Sequence, residues 1–164
     1  MFVGLISDTH GVFGDEFREF FAPVDVLWHA GDFGGGLSFA EGLEQFKPLV
    51  GVYGNCDGYD IRSRFPEYQL LRVQGLRILL THIGGSPGHY YPRAAELLAA
   101  NRPDVFVCGH SHILKVMNDG ARDLLYVNPG AAGLQGWQVV RTALRFRIEG
   151  GEVKDMEVFN LPRR

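Results

Sequence analysis

A chain of 164 residues, 46% hydrophobic and 21% charged, has the make-up of one ordinary globular domain, long enough to bury a core without disulfide staples. A formal net charge of -3 excludes the basic surplus that draws a protein to nucleic acid or an anionic membrane, so a phosphate-bearing partner must be held locally. Two cysteines, Cys56 and Cys108, are too few for a disulfide framework, no apolar run approaches a membrane span, and no leader precedes the first strand, so the expectation is a single cytoplasmic domain over residues 1–164 with no membrane partner.

Phe2, Val3, Leu5 and Ile6 form a short apolar run that predicts a buried strand, and it ends against Asp8-Thr9-His10. Gly14 to Phe21 carries Phe17, Phe20 and Phe21 at helical spacing behind acidic residues, a helix stopped by Pro23. Val24 to Trp28 is a second run, delivering His29-Ala30-Gly31-Asp32, and after a glycine-rich loop Leu37 to Phe46 predicts an amphipathic helix closed by Pro48. Leu49 to Tyr53 delivers Gly54-Asn55-Cys56-Asp57. Tyr68 to Val73 and Leu76 to Leu80 flank Gln74-Gly75 as a hairpin whose second strand delivers Thr81-His82. A loop from Ile83 to Tyr91 precedes a helix over Pro92 to Asn101, with proline in its first turn, and Val105 to Cys108 then delivers Gly109-His110-Ser111-His112. Leu124 to Val127, Thr142 to Ile148 and Val153 to Phe159 read as strands with turns at Asn128-Pro129-Gly130 and Gly150-Gly151, which points to a mixed sheet finishing an α/β start.

Asp8, Asp32, Asn55, His82 and His110 are separated by 24, 23, 27 and 28 residues, about one strand-plus-connection unit each. Right-handed crossovers between parallel strands bring several such ends to one edge. Two carboxylates, an amide and four imidazoles on one edge have lone pairs facing one another, and a pair of divalent cations resolves this. Mixed nitrogen and oxygen donors suit Mn, Fe, Zn or Co and disfavour an all-oxygen Ca or Mg site. A metal pair wants a shared carboxylate, and Asp32, central in chain order and flanked by glycine, is the candidate. Singly, each residue has a plainer reading: an N-cap at Asp8, a turn former at Asn55, a loop pair at His110 and His112.

Asp8-Thr9-His10, Gly31-Asp32, Gly54-Asn55, Thr81-His82 and Gly109-His110-Ser111-His112, in this order, resemble the signature of calcineurin-like metallophosphoesterases, and most closely their small single-domain bacterial and archaeal phosphodiesterases. The likeness runs from Phe2 to Gly130, with Asn128-Pro129-Gly130 fitting a further family element. It implies an α/β fold of two sheets in a sandwich flanked by helices, in four layers α/β/β/α. It implies two divalent ions per chain, Mn first, with Fe, Zn, Co or Ni as alternatives. One ion would lie on Asp8, His10, Asp32 and His112, the other on Asp32, Asn55, His82 and His110. The activity implied is phosphodiester hydrolysis by metal-activated water on a small substrate, with Asn55 also meeting substrate. The alternatives are a phosphomonoesterase and a weakly catalytic scaffold, as in the retromer subunit of this fold. A homo-oligomer is left open.

Three departures matter. Many relatives carry a histidine after the Asn of the third block, where it protonates the leaving group; here Cys56 stands in that slot with Asp57 next, and these two are the candidates for general acid. Asp32 is followed by Phe33-Gly34-Gly35 rather than Asp-Arg-Gly, which argues against a phosphoprotein substrate. The fourth block runs into the long loop Ile83 to Tyr91, whose His89 and Tyr90 are within reach of a substrate, although a loop rich in glycine carries such residues without chemical purpose. His29 reads as a satisfied core histidine, Cys108 as a small buried hydrophobe, and Arg141, Arg145 and Arg147 as the solvated face of an alternating strand.

Overall fold

The computed structural model describes residues 1–163. In chain order the elements are β1 (Phe2–Ile6), α1 (Asp15–Phe21), β2 (Val26–His29), α2 (Gly36–Phe46), β3 (Leu49–Gly51), α3 (Tyr59–Arg62), β4 (Tyr68–Val73) and β5 (Leu76–Thr81). They continue with β6 (Gly85–Ser86), β7 (His89–Tyr90), α4 (Pro92–Asn101), β8 (Val105–Val107), β9 (Leu114–Asp119), β10 (Leu124–Pro129), β11 (Val140–Glu149) and β12 (Glu152–Pro162).

The strands form two five-stranded sheets, ordered β12-β11-β1-β2-β3 and β4-β5-β8-β10-β9, with β6 and β7 as a separate small hairpin. The second large sheet uses only the stretch from Tyr68 to Pro129, inserted between β3 and β11 of the first. Period-two alternation along β1 sends Val3 and Leu5 into the space between the sheets, where they meet Trp28, Ile78, Leu80, Val107, Val127 and Phe146. Phe2 and Ile6 face outward onto Phe17, Phe21, Ala40 and Leu43 of α1 and α2. On the far side Leu79, Phe106 and Tyr126 pack under Ala94, Leu97 and Leu98 of α4. The layers are therefore α/β/β/α. Full burial of each large apolar side chain, Trp28 at the centre included, contributes about 1.5–3 kcal/mol. Gly4 is a spatial requirement: a Cβ there would stand 2.5 Å from Cδ1 of Phe21, so its absence lets α1 settle on the sheet.

Within the first sheet β1, β2 and β3 run parallel, with Leu5 beside Trp28 and Trp28 beside Val50. In the second, β5, β8 and β10 run parallel, with Leu80 beside Val107 and Val107 beside Val127. The carboxyl ends of both parallel sets deliver Asp8, Asp32, Asn55, His82 and His110 to one rim of the sandwich, the place where open α/β sheets bind ligands.

Three features differ from the sequence expectation. β9, α3 and the β6/β7 hairpin lie in stretches without a clear apolar period; β9 is an edge strand whose side chains are mostly exposed. The arginine face of β11 is more covered than a solvated face would be, with Arg141 buried and Arg145 and Arg147 half-buried. α1 covers that side of the sheet, and the guanidinium groups of Arg141, Arg145 and Arg147 lie over the rings of Phe17, Phe20 and Phe2 at 4.8, 4.4 and 4.2 Å. Their stems bury against aromatic rings; Arg141 Nε donates to Ala132 O and Arg145 Nη1 to Phe20 O, while Nη2 of Arg141 is buried without a hydrogen-bond partner among the described residues. Tyr90 turns inward, its hydroxyl donating to Asp119 at 2.8 Å.

Candidate metal centre

Five of the nine non-glycine residues with positive φ among the described residues are Asp8, His10, Asp32, His110 and His112, at φ 53, 46, 57, 68 and 61°. The left-handed region costs an L-residue roughly 1–2 kcal/mol, so a cluster of such residues at one rim marks backbone held in place by its surroundings. The restraint is visible. The N–H groups of Asp8, His10 and Gly11 donate to the carbonyls of Gly31, Asp32 and Phe33 at 2.9, 3.2 and 2.7 Å, zipping the loops after β1 and β2 together. Gly109 N–H donates to His82 O at 2.9 Å and binds the loops after β5 and β8.

On this frame the seven side chains meet. Asp8 spends Oδ2 on the Ser7 hydroxyl at 2.6 Å and the His110 N–H at 3.1 Å, leaving Oδ1 directed inward. Around that oxygen stand His112 Nε2 at 3.0 Å, His82 Nε2 at 3.8 Å and His10 Nε2 at 4.0 Å. Asp32 accepts the Cys56 N–H on Oδ1 at 2.8 Å, and its Oδ2 faces His82 Nε2 at 3.2 Å and His10 Nε2 at 4.0 Å. Asn55 Oδ1 lies 3.1 Å from His82 Nε2 and 2.9 Å from His110 Nδ1. Two rings are oriented from behind: His82 Nδ1–H donates to Ala30 O at 2.6 Å, and His112 Nδ1–H to Gln138 Oε1 at 3.1 Å, so both aim Nε2 at the cluster. Gln138 is itself fixed by donating to Gln135 O at 2.6 Å, which sets its amide oxygen toward the ring.

The donor set suits a metal. Ligand bonds near 2 Å place neighbouring ligand atoms roughly 3 Å or a little more apart, the spacing found here. The groupings Asp8/His10/His112 and Asp8/Asp32/His82 each gather ligand atoms within 4.8 Å of one another. His10, Asp32 and Cys56 form a third such group.

Burial, hydrogen bonds and charge pull on the protons of the cluster in different directions. Burial works to raise Asp8 and Asp32, but hydrogen bonds and charge from His112 and His82 outweigh it and hold both carboxyls below their ordinary value. Burial opposes the charge on His82, yet Asp32 and Asp8 raise its pKa; His112 is raised by its bond to Asp8. His110 is lowered by burial and by the charge of His82.

The remaining candidates separate clearly. Cys56 is exposed at the rim, its thiol pKa raised by burial of the sulfur and by the Asp32 carboxylate, so the thiol is neutral at pH 7. Asp57 is not brought into the groove. Its oxygens accept the Gly54 and Gly34 N–H groups at 2.8 and 3.3 Å, making it a brace for the loop that carries Asn55. His29 is fully buried and stacked on Phe33 at 3.7 Å; Nδ1 accepts the Gly31 N–H at 3.1 Å and Nε2–H donates to Thr9 at 2.9 Å, while burial depresses its pKa to about 3. Sequence reasoning missed Gln138, Arg62 and Tyr91. Arg62 donates to the carbonyls of Asp57, Gly54 and Asn55 at 2.7, 3.4 and 3.3 Å, and Tyr91 stands beside His110 with ring centroids 6.5 Å apart. None of the three lies in a motif, and only the folded chain brings them to the rim.

Two facing sheets flanked by helices, with carboxylates and imidazoles gathered at the ends of the parallel strands, define an α/β sandwich built around a site suited to metal. The chain belongs to the calcineurin-like phosphoesterase superfamily, whose domain matches residues 1–151. Among solved structures, an archaeal phosphodiesterase is 23% identical, with a TM-score of 0.75 over 98% of this chain and 100% of its own. A Thermotoga maritima protein solved by NMR is 26% identical, with a TM-score of 0.73 over 98% and 99% of the two chains. Wild-type Vps29 of Entamoeba histolytica, complexed with zinc, is 17% identical, with a TM-score of 0.75 over 100% of each chain. No curated protein sequence matches. Among the described residues no helix is long and apolar enough to cross a membrane.

Proposed function

We propose that the protein is a dinuclear metal-dependent phosphodiesterase. The observation that carries this reading is the position of Asp32 Oδ2 between His82 Nε2 at 3.2 Å and His10 Nε2 at 4.0 Å, one ring from each side of the cluster, as a shared carboxylate requires. Asp8, His10, Asp32 and His112 would hold one ion and Asp32, Asn55, His82 and His110 the other, with Mn favoured by the mixed donors. When bound, such a pair supplies Lewis acidity at the phosphoryl oxygens and a lowered pKa for water. The chain's own residues do the rest. The groove over the cluster, about 280 Å³, is lined by His10, Asp32, Asn55, Cys56, His110 and His112 and has no Lys or Arg on its wall. Arg62, the nearest guanidinium to Asn55, is spent on three backbone carbonyls. A monoanionic diester therefore suits the groove better than a dianionic monoester. Cys56 occupies the position from which a leaving group would be protonated, and a neutral thiol is a weak donor there.

The test is metal analysis of the purified protein followed by a Mn-supplemented assay on matched diester and monoester substrates across several leaving groups. Diesters should turn over faster; monoesters faster throughout would move the assignment to a phosphatase. The second reading is a scaffold. Vps29 structures share the fold, one of them complexed with zinc; the convergence of His10, His82, His110 and His112 on two carboxylates here supports the catalytic reading. The exposed Cys56 and the buried Cys108, both unpaired, suit a reducing compartment such as the cytoplasm.

A further inference from the structure

Beside the metal centre, on the side of Asn55 and His82, lies a depression of about 320 Å³ that the activity above does not require. Its volume sits at the lower end of small-molecule sites, roughly 300 Å³ upward, room for one ring system and little more. Tyr53, Ile83 and Tyr91 make an apolar wall, and Glu67 and Arg93 a polar rim. Arg62 also lines the depression, its guanidinium 4.5 Å from the Tyr53 ring centroid and its N–H groups held by the carbonyls of Asp57, Gly54 and Asn55. Tyr91 is half exposed; its ring makes no hydrogen bond among the described residues and reaches over toward His110. At the rim Arg93 donates to both oxygens of Glu67, at 2.9 and 3.2 Å, and the pair is partly open to solvent, so it offers an acceptor and donors to the edge of a ring. Ile83 and Tyr91 come from the two ends of the loop that departs from the family pattern, and its hairpin, Gly85 paired with Tyr90, folds them together through Tyr91 N–H to Gly84 O at 3.2 Å.

We propose that this depression is a subsite for a nucleobase on one arm of the phosphodiester, stacked on Tyr91 with its edge toward Glu67 and Arg93 and its phosphate at Asn55 and His82. The chemistry is that of a planar heterocycle: aromatic faces for the ring, mixed donors and acceptors for its edge, and no free cation deep inside that would call for a second phosphate. A purely aliphatic arm would bring no polar edge to the Glu67/Arg93 rim. The assignment builds on the phosphodiesterase reading and names its substrate class.

The experiment compares Mn-loaded enzyme on thymidine 5′-(4-nitrophenyl) phosphate and methyl 4-nitrophenyl phosphate, which share a leaving group and differ only in the base-bearing arm. The thymidine diester should have a kcat/KM at least roughly tenfold higher, the scale of one base–aromatic stack. Tyr91→Ala should collapse that ratio toward one, and Tyr91→Phe should keep it. Binding of thymidine 5′-monophosphate to protein without added metal, followed by calorimetry, should weaken by a similar factor in Tyr91→Ala. Equal rates on the two diesters, with both readouts indifferent to Tyr91→Ala, would overturn the subsite and leave the phosphodiesterase reading standing. No turnover of either diester, with nucleotide binding that still depends on Tyr91, would do the reverse. The exposed Trp137 follows Gly136 of the groove wall and precedes Gln138, the partner of His112; a ratio lost in Trp137→Ala and kept in Tyr91→Ala would place the base there and defeat the proposal.

Discussion

Gly54 is a glycine because of space and not of backbone angle, and this makes Gly54→Ala a sharp probe of the centre. Its φ is not in the left-handed region, so alanine brings no conformational strain. A Cβ would, however, stand 2.1 Å from Asp32 Oδ1, 2.7 Å from its Cγ and 2.4 Å from its backbone nitrogen. A rotation of the carboxylate cannot relieve contact with the backbone, and Oδ1 is also tied to the Cys56 N–H at 2.8 Å. The strands' ends must part by about 1 Å, an overpacking cost of about 1–3 kcal/mol. For a domain of this length that lowers Tm by roughly 3–10 °C. The second consequence is the discriminating one. In wild type, Mn at a hundred times its Kd should stabilise by about 2.7 kcal/mol, and in Gly54→Ala, with the bridging carboxylate displaced, that gain should largely vanish. The assay is thermal unfolding with and without Mn, with Gly42→Ala as the control. Gly42 sits inside α2 with nothing within 4 Å of a Cβ, so alanine should gain up to about 1 kcal/mol of helix propensity and leave the Mn response alone. A Gly54→Ala protein that keeps the full Mn shift would refute the placement of Asp32 between two ions.

Other expectations follow from the same geometry. Purified protein reconstituted with Mn should hold close to two ions per chain, and Asp32→Asn should weaken both; one tight ion indifferent to Asp32→Asn would show a mononuclear site. Wild-type rates should fall steeply from aryl to alkyl diesters, and Cys56→His should flatten the series by supplying a proton donor, whereas a flat wild-type series steepened only by Asp57→Asn would make Asp57 the acid in spite of its bonds to Gly54 and Gly34. His29 stays neutral in the fold down to about pH 3, while the unfolded chain takes up its proton near 6.5. Its burial is therefore compatible with full stability above pH 6.5 and costs about 1.4 kcal/mol per pH unit as pH falls from there toward 3. His82 and His112, with raised pKa, are charged in both states below 6.5 and add no slope there. Denaturant unfolding from pH 4.5 to 6.5 should be flatter for His29→Gln than for wild type, and parallel curves would contradict the assignment.

Much of the centre was legible because each block is local: an apolar run that must be a strand, then a polar residue that cannot continue it. Asp8, Asp32, Asn55, His82 and His110 follow that grammar, and the parallel order of the strands turns it into a shared rim. His29 could be assigned to the interior since it sits inside such a run. The arginines of β11 misled for the same reason, since alternation shows that a face differs from its opposite but not whether a helix will cover it; α1 does, its Phe17 and Phe20 taking Arg141 and Arg145 while Phe2 of β1 takes Arg147. β9 was hidden because an exposed edge strand needs no apolar period. Tyr91, Arg62 and Gln138 act through contacts made only after the two sheets dock, and their residue types carry no signal beforehand. Asp57 shows the limit of analogy: it neighbours the slot of the family's acid, yet its carboxylate is occupied by backbone.

The order in which the first sheet is filled bears on how the chain is made. β1 lies in its middle, bounded on one side by β2 and on the other by β11, where Phe2 is paired with Arg147. On a ribosome β2 arrives almost at once, but the other edge of β1, among the most apolar in the molecule, waits until the entire second sheet has been synthesised. At about 5–20 residues per second the wait is roughly 6–24 s. During it the nascent chain carries a bare, flat strand edge of the kind that recruits neighbouring chains. The last hairpin is thus also the closing seam, and shortened chains that stop before β11 should be the aggregation-prone products of interrupted translation.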